Sequence, residues 1–117
     1  MRLHLVVVVC NTIRECALEP FDLQTLDENH PFEIDTQAAH LFKHPRMGTD
    51  VIRAVWSSDP VFYPARPPAH WLMVAEVAGT VLVIPLAPSR ARDPRRCRPI
   101  GCYVASQLLA NQYRRDR

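Results

Sequence analysis

The sequence predicts an α+β domain: a small antiparallel sheet of three to four strands, open to an extra strand at the N-terminus, packed with two N-terminal helices and one C-terminal helix. Three observations predict it. Two strand-like runs, Trp71 to Val77 and Thr80 to Leu86, meet at Ala78-Gly79, where glycine tolerates the positive backbone dihedral of a tight hairpin turn. Ahead of them, Val51, Ile52, Val55 and Trp56 recur at the spacing of a buried helical stripe. Behind them, Ser106 stands where a helix from Gln107 to Arg115 needs an N-cap.

At 117 residues the chain has room for one domain with a core large enough to fold unaided. Apolar residues are 48% and charged residues 22%, ordinary globular usage that indicates neither disorder nor a membrane protein. The order divides at residue 31. Residues 1–31 read as an N-terminal strand and an acidic arm, and residues 32–117 as the α+β domain.

Taken in order, Leu3, Leu5 and Val6 to Val9 are apolar and mostly β-branched, which suits a buried strand. This run is far shorter than the roughly 20 residues that span a bilayer, and no cleavage site follows it, so a cytoplasmic protein without a membrane role is expected. Residues 11–31 mix carboxylates, Pro20, Asn29 and Pro31 with scattered apolar positions and show no sustained period, which predicts an arm with some helical content. Asp35-Thr36 can cap a short helix carrying Ala38, Ala39, Leu41 and Phe42, stopped by Pro45. Thr49-Asp50 offers the cap of the second helix. Val61-Phe62-Tyr63 reads as a strand closed by the proline-rich stretch Pro64 to Pro68. Pro85 removes a ladder donor, which predicts an unpaired stretch beside it. Arg98 to Tyr103 reads as the last strand, weakened by Pro99 and Gly101. In the C-terminal helix the arginines fall in the last turn, where the helix dipole favours cations.

The net charge of +2 hides a separation. Arg90, Arg92, Arg95, Arg96, Arg98, Arg114, Arg115 and Arg117 face only Asp93 and Asp116 in the last stretch, whereas Glu15, Glu19, Asp22, Asp27, Glu28, Glu33 and Asp35 run without a Lys or Arg between them. Such a split fits an anionic partner at the basic end, an internal pairing of the two ends, or two solvated faces. Cys10, Cys16, Cys97 and Cys102 lack the two-residue spacing of zinc knuckles and, without a secretory signal, are expected as reduced thiols. No metal or other cofactor is expected.

Phe32-Glu33-Ile34-Asp35, then His40-Leu41-Phe42-Lys43-His44, then Val51 to Trp56 running into Asp59-Pro60, then the hairpin, and last Arg98-Pro99-Ile100-Gly101-Cys102-Tyr103 leading to Ser106 and Tyr113-Arg114-Arg115 together carry a resemblance. In order and spacing the stretch from Phe32 to Arg115 resembles the BrnT family, toxin components of bacterial type II toxin–antitoxin pairs with the RelE-like ribonuclease fold. The resemblance implies a RelE/BrnT-like arrangement, metal-independent RNA cleavage, and an antitoxin-like protein partner of ribbon-helix-helix or helix-turn-helix type. Four positions depart from the family pattern: Tyr103 replaces an arginine that ends the last strand, Leu109-Ala110 replace a Glu-Arg pair, and Glu76 stands where a basic residue is common. If basic side chains cradle the RNA phosphate, these changes count against full activity, so a diverged toxin with weak activity and a non-enzymatic binding module of the same fold both stay open.

RNA cleavage of this kind needs a base for the 2′-hydroxyl, cations for the charge developing on phosphorus, and an acid for the leaving oxygen. His44 is the candidate base or acid, because imidazole titrates near neutrality and Lys43 beside it favours the neutral form. Lys43, Arg98 and Arg114 are candidate phosphate clamps, and Tyr113 a candidate to stack on a base or donate a proton. Arg90, Arg92, Arg95 and Arg96 join Arg114 as candidate RNA-binding groups, with steep salt dependence expected. Structural readings compete with each. His44 also fits a helix C-cap, Tyr113 a core edge, and the arginine run a solvated loop. His40 and His44 share a helix face, but Leu41 stands where a zinc-protease motif requires glutamate. The acidic arm is expected to fold back over the basic face and mimic RNA.

Overall fold

The computed structural model describes residues 5–6, 21–34 and 48–117. Among them, six strands form one sheet: β1 (Leu5–Val6), β2 (Val61–Pro64), β3 (Trp71–Val77), β4 (Thr80–Pro88), β5 (Cys97–Pro99) and β6 (Tyr103–Val104). The strands run in the order β1-β2-β3-β4-β5, and β6 also pairs with β4. Two helices accompany them, α1 (Thr49–Trp56) and α2 (Gln107–Asp116), and the chain is an α+β domain. The first predicted helix, with His40, Lys43 and His44, lies outside the described residues, as do Cys10, Cys16, Glu15, Glu19 and Asp35.

The hairpin is the centre of the sheet. Its register runs unbroken from Trp71 opposite Leu86 to Val77 opposite Thr80. Ala78 and Gly79 between them take φ of 51° and 83°, the pair of positive dihedrals that a type I′ turn requires. Gly79 adopts this freely, while Ala78 does so against its Cβ. β2 adds antiparallel to β3, with Val61 opposite Val74 and Pro64 opposite Trp71. The extra N-terminal strand is present and pairs parallel to β2, Leu5 opposite Val61.

The predicted last strand is two strands, which brings the total above the three to four expected. β5 pairs with Leu86 to Pro88 and β6 with Leu82 and Val83, so β4 lacks a strand partner on that side at Ile84 and Pro85. Pro85 is the physical cause: without an N–H it cannot continue a ladder, and the chain bends away there. Ile100 recovers one bond by donating to the Pro85 carbonyl at 3.0 Å, and Gly101 passes over the proline ring.

Alternation along the strands divides the core by face. On one face Phe62, Trp71, Met73, Ile84, Leu86 and Cys97 pack with Ile52, Val55 and Trp56 of α1. On the other, Val61, Tyr63, Val74, Val81 and Val83 pack with Ala110 and Tyr113 of α2. Each helix therefore covers its own side of the sheet. Ser106 caps α2 as its sequence predicts, accepting the Leu109 N–H at 3.2 Å. The cap of α1 differs from the reading: Gly48 holds the N-cap position without a side-chain bond, and Thr49 is already helical.

Residues 21–34 belong to the α1 face. Leu23 and Leu26 are buried in its core, Leu23 starting a single 3-10 turn from Leu23 to Thr25 that Asp22 caps. Both tryptophans fix the segment by its backbone, Trp71 Nε1 donating to the Phe21 carbonyl at 2.9 Å and Trp56 Nε1 to that of Glu28 at 3.2 Å. Further along, the Cys97 N–H donates to the Pro31 carbonyl and the Glu33 N–H to the Cys97 carbonyl, at 2.8 and 2.7 Å. The aromatic–acidic stretch thus forms only a single parallel bridge, Phe32 with Cys97, rather than a full strand.

Candidate functional site

A pocket of about 410 Å³ opens between α1 and the 28–34 segment. One wall is a helical stripe of Thr49, Ile52, Arg53 and Trp56, spaced i, i+3, i+4, i+7, so that they share a face of α1. The facing wall runs from Glu28 through Asn29, His30 and Phe32 to Ile34. Phe32 meets Trp56 edge to face, with ring centroids 5.5 Å apart and planes at 82°.

Arg96 closes one end of the pocket. It immediately precedes β5, and its Nη2 donates to the Phe32 carbonyl, so β5 docking against the 31–33 backbone carries the guanidinium into place. Its Nε is shielded from solvent and has no hydrogen-bond partner. The Phe32 carbonyl fixes this guanidinium among the residues that line the pocket, where it contributes positive charge. With Arg53 and Arg96 against Glu28, the Lys, Arg, Asp and Glu side chains of the lining carry one net positive charge.

The loop that delivers Arg96 is built by carboxylates of the acidic stretch. Glu33 accepts from the Ser89 hydroxyl at 2.6 Å and the Arg90 N–H at 2.8 Å, and these bonds, the serine's foremost, hold its carboxyl below the usual range. Asp27 accepts from the Asn29 and His30 N–H groups and pairs with Arg95, and its carboxyl is lowered chiefly by those two backbone bonds. The expected folding-back of the acidic arm on basic residues is met here in a limited form. Asp27 and Glu33 brace the 89–97 loop instead of lying over an arginine surface, and Leu23 and Leu26 anchor the segment in the core.

The sequence-predicted site residues separate. Lys43 and His44 are outside the described residues. Arg98 stands in β5 opposite Ala87, on the α2 face by alternation from Cys97, and its Nε is buried without a partner. Tyr113 is 2% exposed, packed among Val61, Tyr63, Val74 and Val83, with its hydroxyl accepting the Glu76 N–H at 3.2 Å. Since Glu76 stands opposite Val81 and Arg98 opposite Ala87, the two lie six residue steps apart along β4, about 20 Å at roughly 3.3 Å each. Arg98 and Tyr113 are therefore not brought together on one phosphate.

Arg114 shares the Tyr113 end and is paired there. Glu76 receives Arg114 at 3.2 Å and Arg117 at 3.6 Å, and Arg117 also lies 5.4 Å from the Tyr113 ring centre. Below them Tyr63 donates to Asp116 at 2.7 Å, and burial, reinforced by that carboxylate, pushes its hydroxyl far up. Arg90 and Arg92 are exposed on the 89–97 loop, Arg92 with φ of 57°. Arg95 is exposed and bonded to Asp27. Of the predicted arginines, only Arg96 lines the pocket.

Arg53, His30 and Phe32 are site residues that the sequence reading missed. Arg53 carried a usable signal, one helical turn before Trp56 and one after Thr49 on the same stripe. Cys97 and Cys102 are both free thiols, and burial pushes the Cys97 thiol far up, which leaves it unreactive. Among the described residues no group of three His, Cys, Asp or Glu is placed to hold a metal, and no helix is long and apolar enough to cross a membrane. Comparison of the chain with protein-family models, curated proteins and solved structures gives no match.

Proposed function

We propose that the chain is a BrnT-like toxin domain of the RelE superfamily, cytoplasmic, acting on RNA as a metal-independent ribonuclease or as a diverged member with weak activity. The observation that carries this reading is the pocket where Arg53 and Arg96 meet His30 beside Phe32. Guanidinium groups stabilise charge on a phosphate, imidazole can take or give the proton that cleavage moves, and an aromatic edge suits an unstacked base. The order of elements from Phe32 onward and the eight arginines of the last stretch support the same reading.

Expression of the whole chain, with growth and cellular RNA integrity as readouts, tests it. Growth arrest with RNA decay is expected, relieved by Arg53→Ala or by His30→Ala. Arrest relieved instead by Arg98→Ala or His44→Ala would move the chemistry to the residues named from the family pattern. Intact RNA and unimpaired growth would contradict the enzyme.

A second reading rests on a different surface. Tyr103 and Val104 of β6 and Leu108 of α2 are 45%, 59% and 78% exposed. Exposed apolar residues on a short strand and on the helix that follows it suit protein pairing, in the manner of an antitoxin-like ribbon-helix-helix or helix-turn-helix partner. In that reading the fold is a binding module, and Leu108→Glu abolishes copurification with a partner expressed from the neighbouring gene.

A further inference from the structure

We infer that the pocket between α1 and residues 28–34 holds one nucleotide unit, its phosphate on Arg53 and Arg96 and its base against Phe32; this rests on the RNA reading and names what that site recognises. About 410 Å³ lies near the lower end of ligand pockets, which run from roughly 300 to 1,000 Å³, so the space suits a single nucleotide and not a stretch of strand.

Chemistry divides the pocket in the same proportion. Arg53 and Arg96 supply the cations, and Arg96 is already fixed by its bond to the Phe32 carbonyl. Guanidinium groups are the side chains best suited to a phosphate. Phe32 is half-buried and set on edge against Trp56, which leaves apolar ring surface on the pocket side together with Pro31 and Ile34. Asn29 and His30 add donors and acceptors at the rim, where a base edge or a ribose 2′-hydroxyl would arrive. A bare phosphate would use only the arginines and leave the apolar wall wet. An apolar peptide would leave both guanidinium groups unmatched. A nucleotide uses both parts.

The wall is also rigid. Trp56 is fixed through its indole N–H to the Glu28 carbonyl, Phe32 by the Cys97 bridge, and Arg96 by the Phe32 carbonyl. Binding to such a preformed site spends little on ordering side chains.

Calorimetric titration of the whole chain with AMP, GMP, CMP and UMP, with inorganic phosphate, and with a single-stranded RNA oligomer tests the inference. At least one nucleoside monophosphate is expected to bind ten times more tightly than phosphate, and Arg53→Ala should weaken it about tenfold. Phe32→Leu, checked for folding by its thermal transition, should bring the nucleotide down to the level of phosphate. Phosphate binding as tightly as every nucleotide would overturn the inference, because the base would then contribute nothing. So would binding of the RNA oligomer without binding of any mononucleotide, an outcome that leaves the RNA reading standing. Mononucleotide binding without RNA binding would uphold the pocket and overturn the RNA reading.

Discussion

Two groups of arginines, at the end of α2 and at the pocket, are used in opposite ways. At the end of α2, Arg114 and Arg117 converge on Glu76, and Tyr63 ties Asp116 to the strand below, so these three charges are matched within the fold. On the α1 face, Arg53 and Arg96 line an open pocket, with Arg96 held in place by the Phe32 carbonyl. The difference teaches that an arginine's role follows from the carboxylate within its reach. Glu76 makes this plain, since one acidic side chain in the hairpin turns a basic helix end into a structural clasp.

The comparison breaks first at the core beneath the pocket. Leu26 is buried with Trp56 and Trp71, so Leu26→Ala should cost about 2–5 kcal/mol of stability in urea unfolding, as large-to-small changes in a core do. A loss under 0.5 kcal/mol would mean that residues 21–34 are a detachable arm, not part of the pocket wall. At the hairpin between the faces the effect is smaller and of opposite sign. Ala78 holds φ of 51°, and Ala78→Gly relieves about 1 kcal/mol of left-handed strain, partly offset by the added freedom of the unfolded chain. The transition midpoint should rise slightly or hold.

A gentler probe of the α1 face is pH. His70 stacks on Phe21 with ring centroids 5.9 Å apart, its Nδ1 is buried without a partner, and burial pushes its imidazole below the usual histidine value. The unfolded chain then binds the proton more readily than the folded one. The stability this contributes is complete above the ordinary histidine value and declines as pH falls below it toward the lowered folded value. His70→Gln should flatten the slope of stability between about pH 7 and 5. An unchanged slope would show that this imidazole is solvated.

Local chemistry made parts of the fold legible. Ala78-Gly79 between β-branched runs announces the hairpin, Ser106 announces α2, and Val51 to Trp56 announce α1, because each signal acts within a few residues. The last strand read as one because Pro99 and Gly101 weaken a strand without saying where it breaks; the break is set by Pro85, a residue of the partner strand. Residues 21–34 showed no period because they dock by single anchors, Leu23, Leu26 and two tryptophan N–H bonds, and not by a repeating face. The site was less legible still. Arg96 stood out as one of a basic run, but His30 and Phe32 reach the pocket through backbone bonds to Cys97 and Trp56 that no spacing encodes. Arg98 and Tyr113 looked like partners in sequence order, and the ladder along β4 holds them apart.

Binding of single-stranded RNA, measured across a salt series for the whole chain and four single variants, tests the contrast between the faces most directly. Arg53→Ala and Arg96→Ala should each weaken binding about tenfold and make the salt slope shallower by about 0.7. Arg114→Ala and Arg117→Ala, already matched by Glu76, should change affinity less than about twofold, in line with the small net worth of paired surface charges. If instead the α2 variants lose the affinity and the pocket variants keep it, RNA is held on the other side of the sheet and the account given for the pocket is wrong.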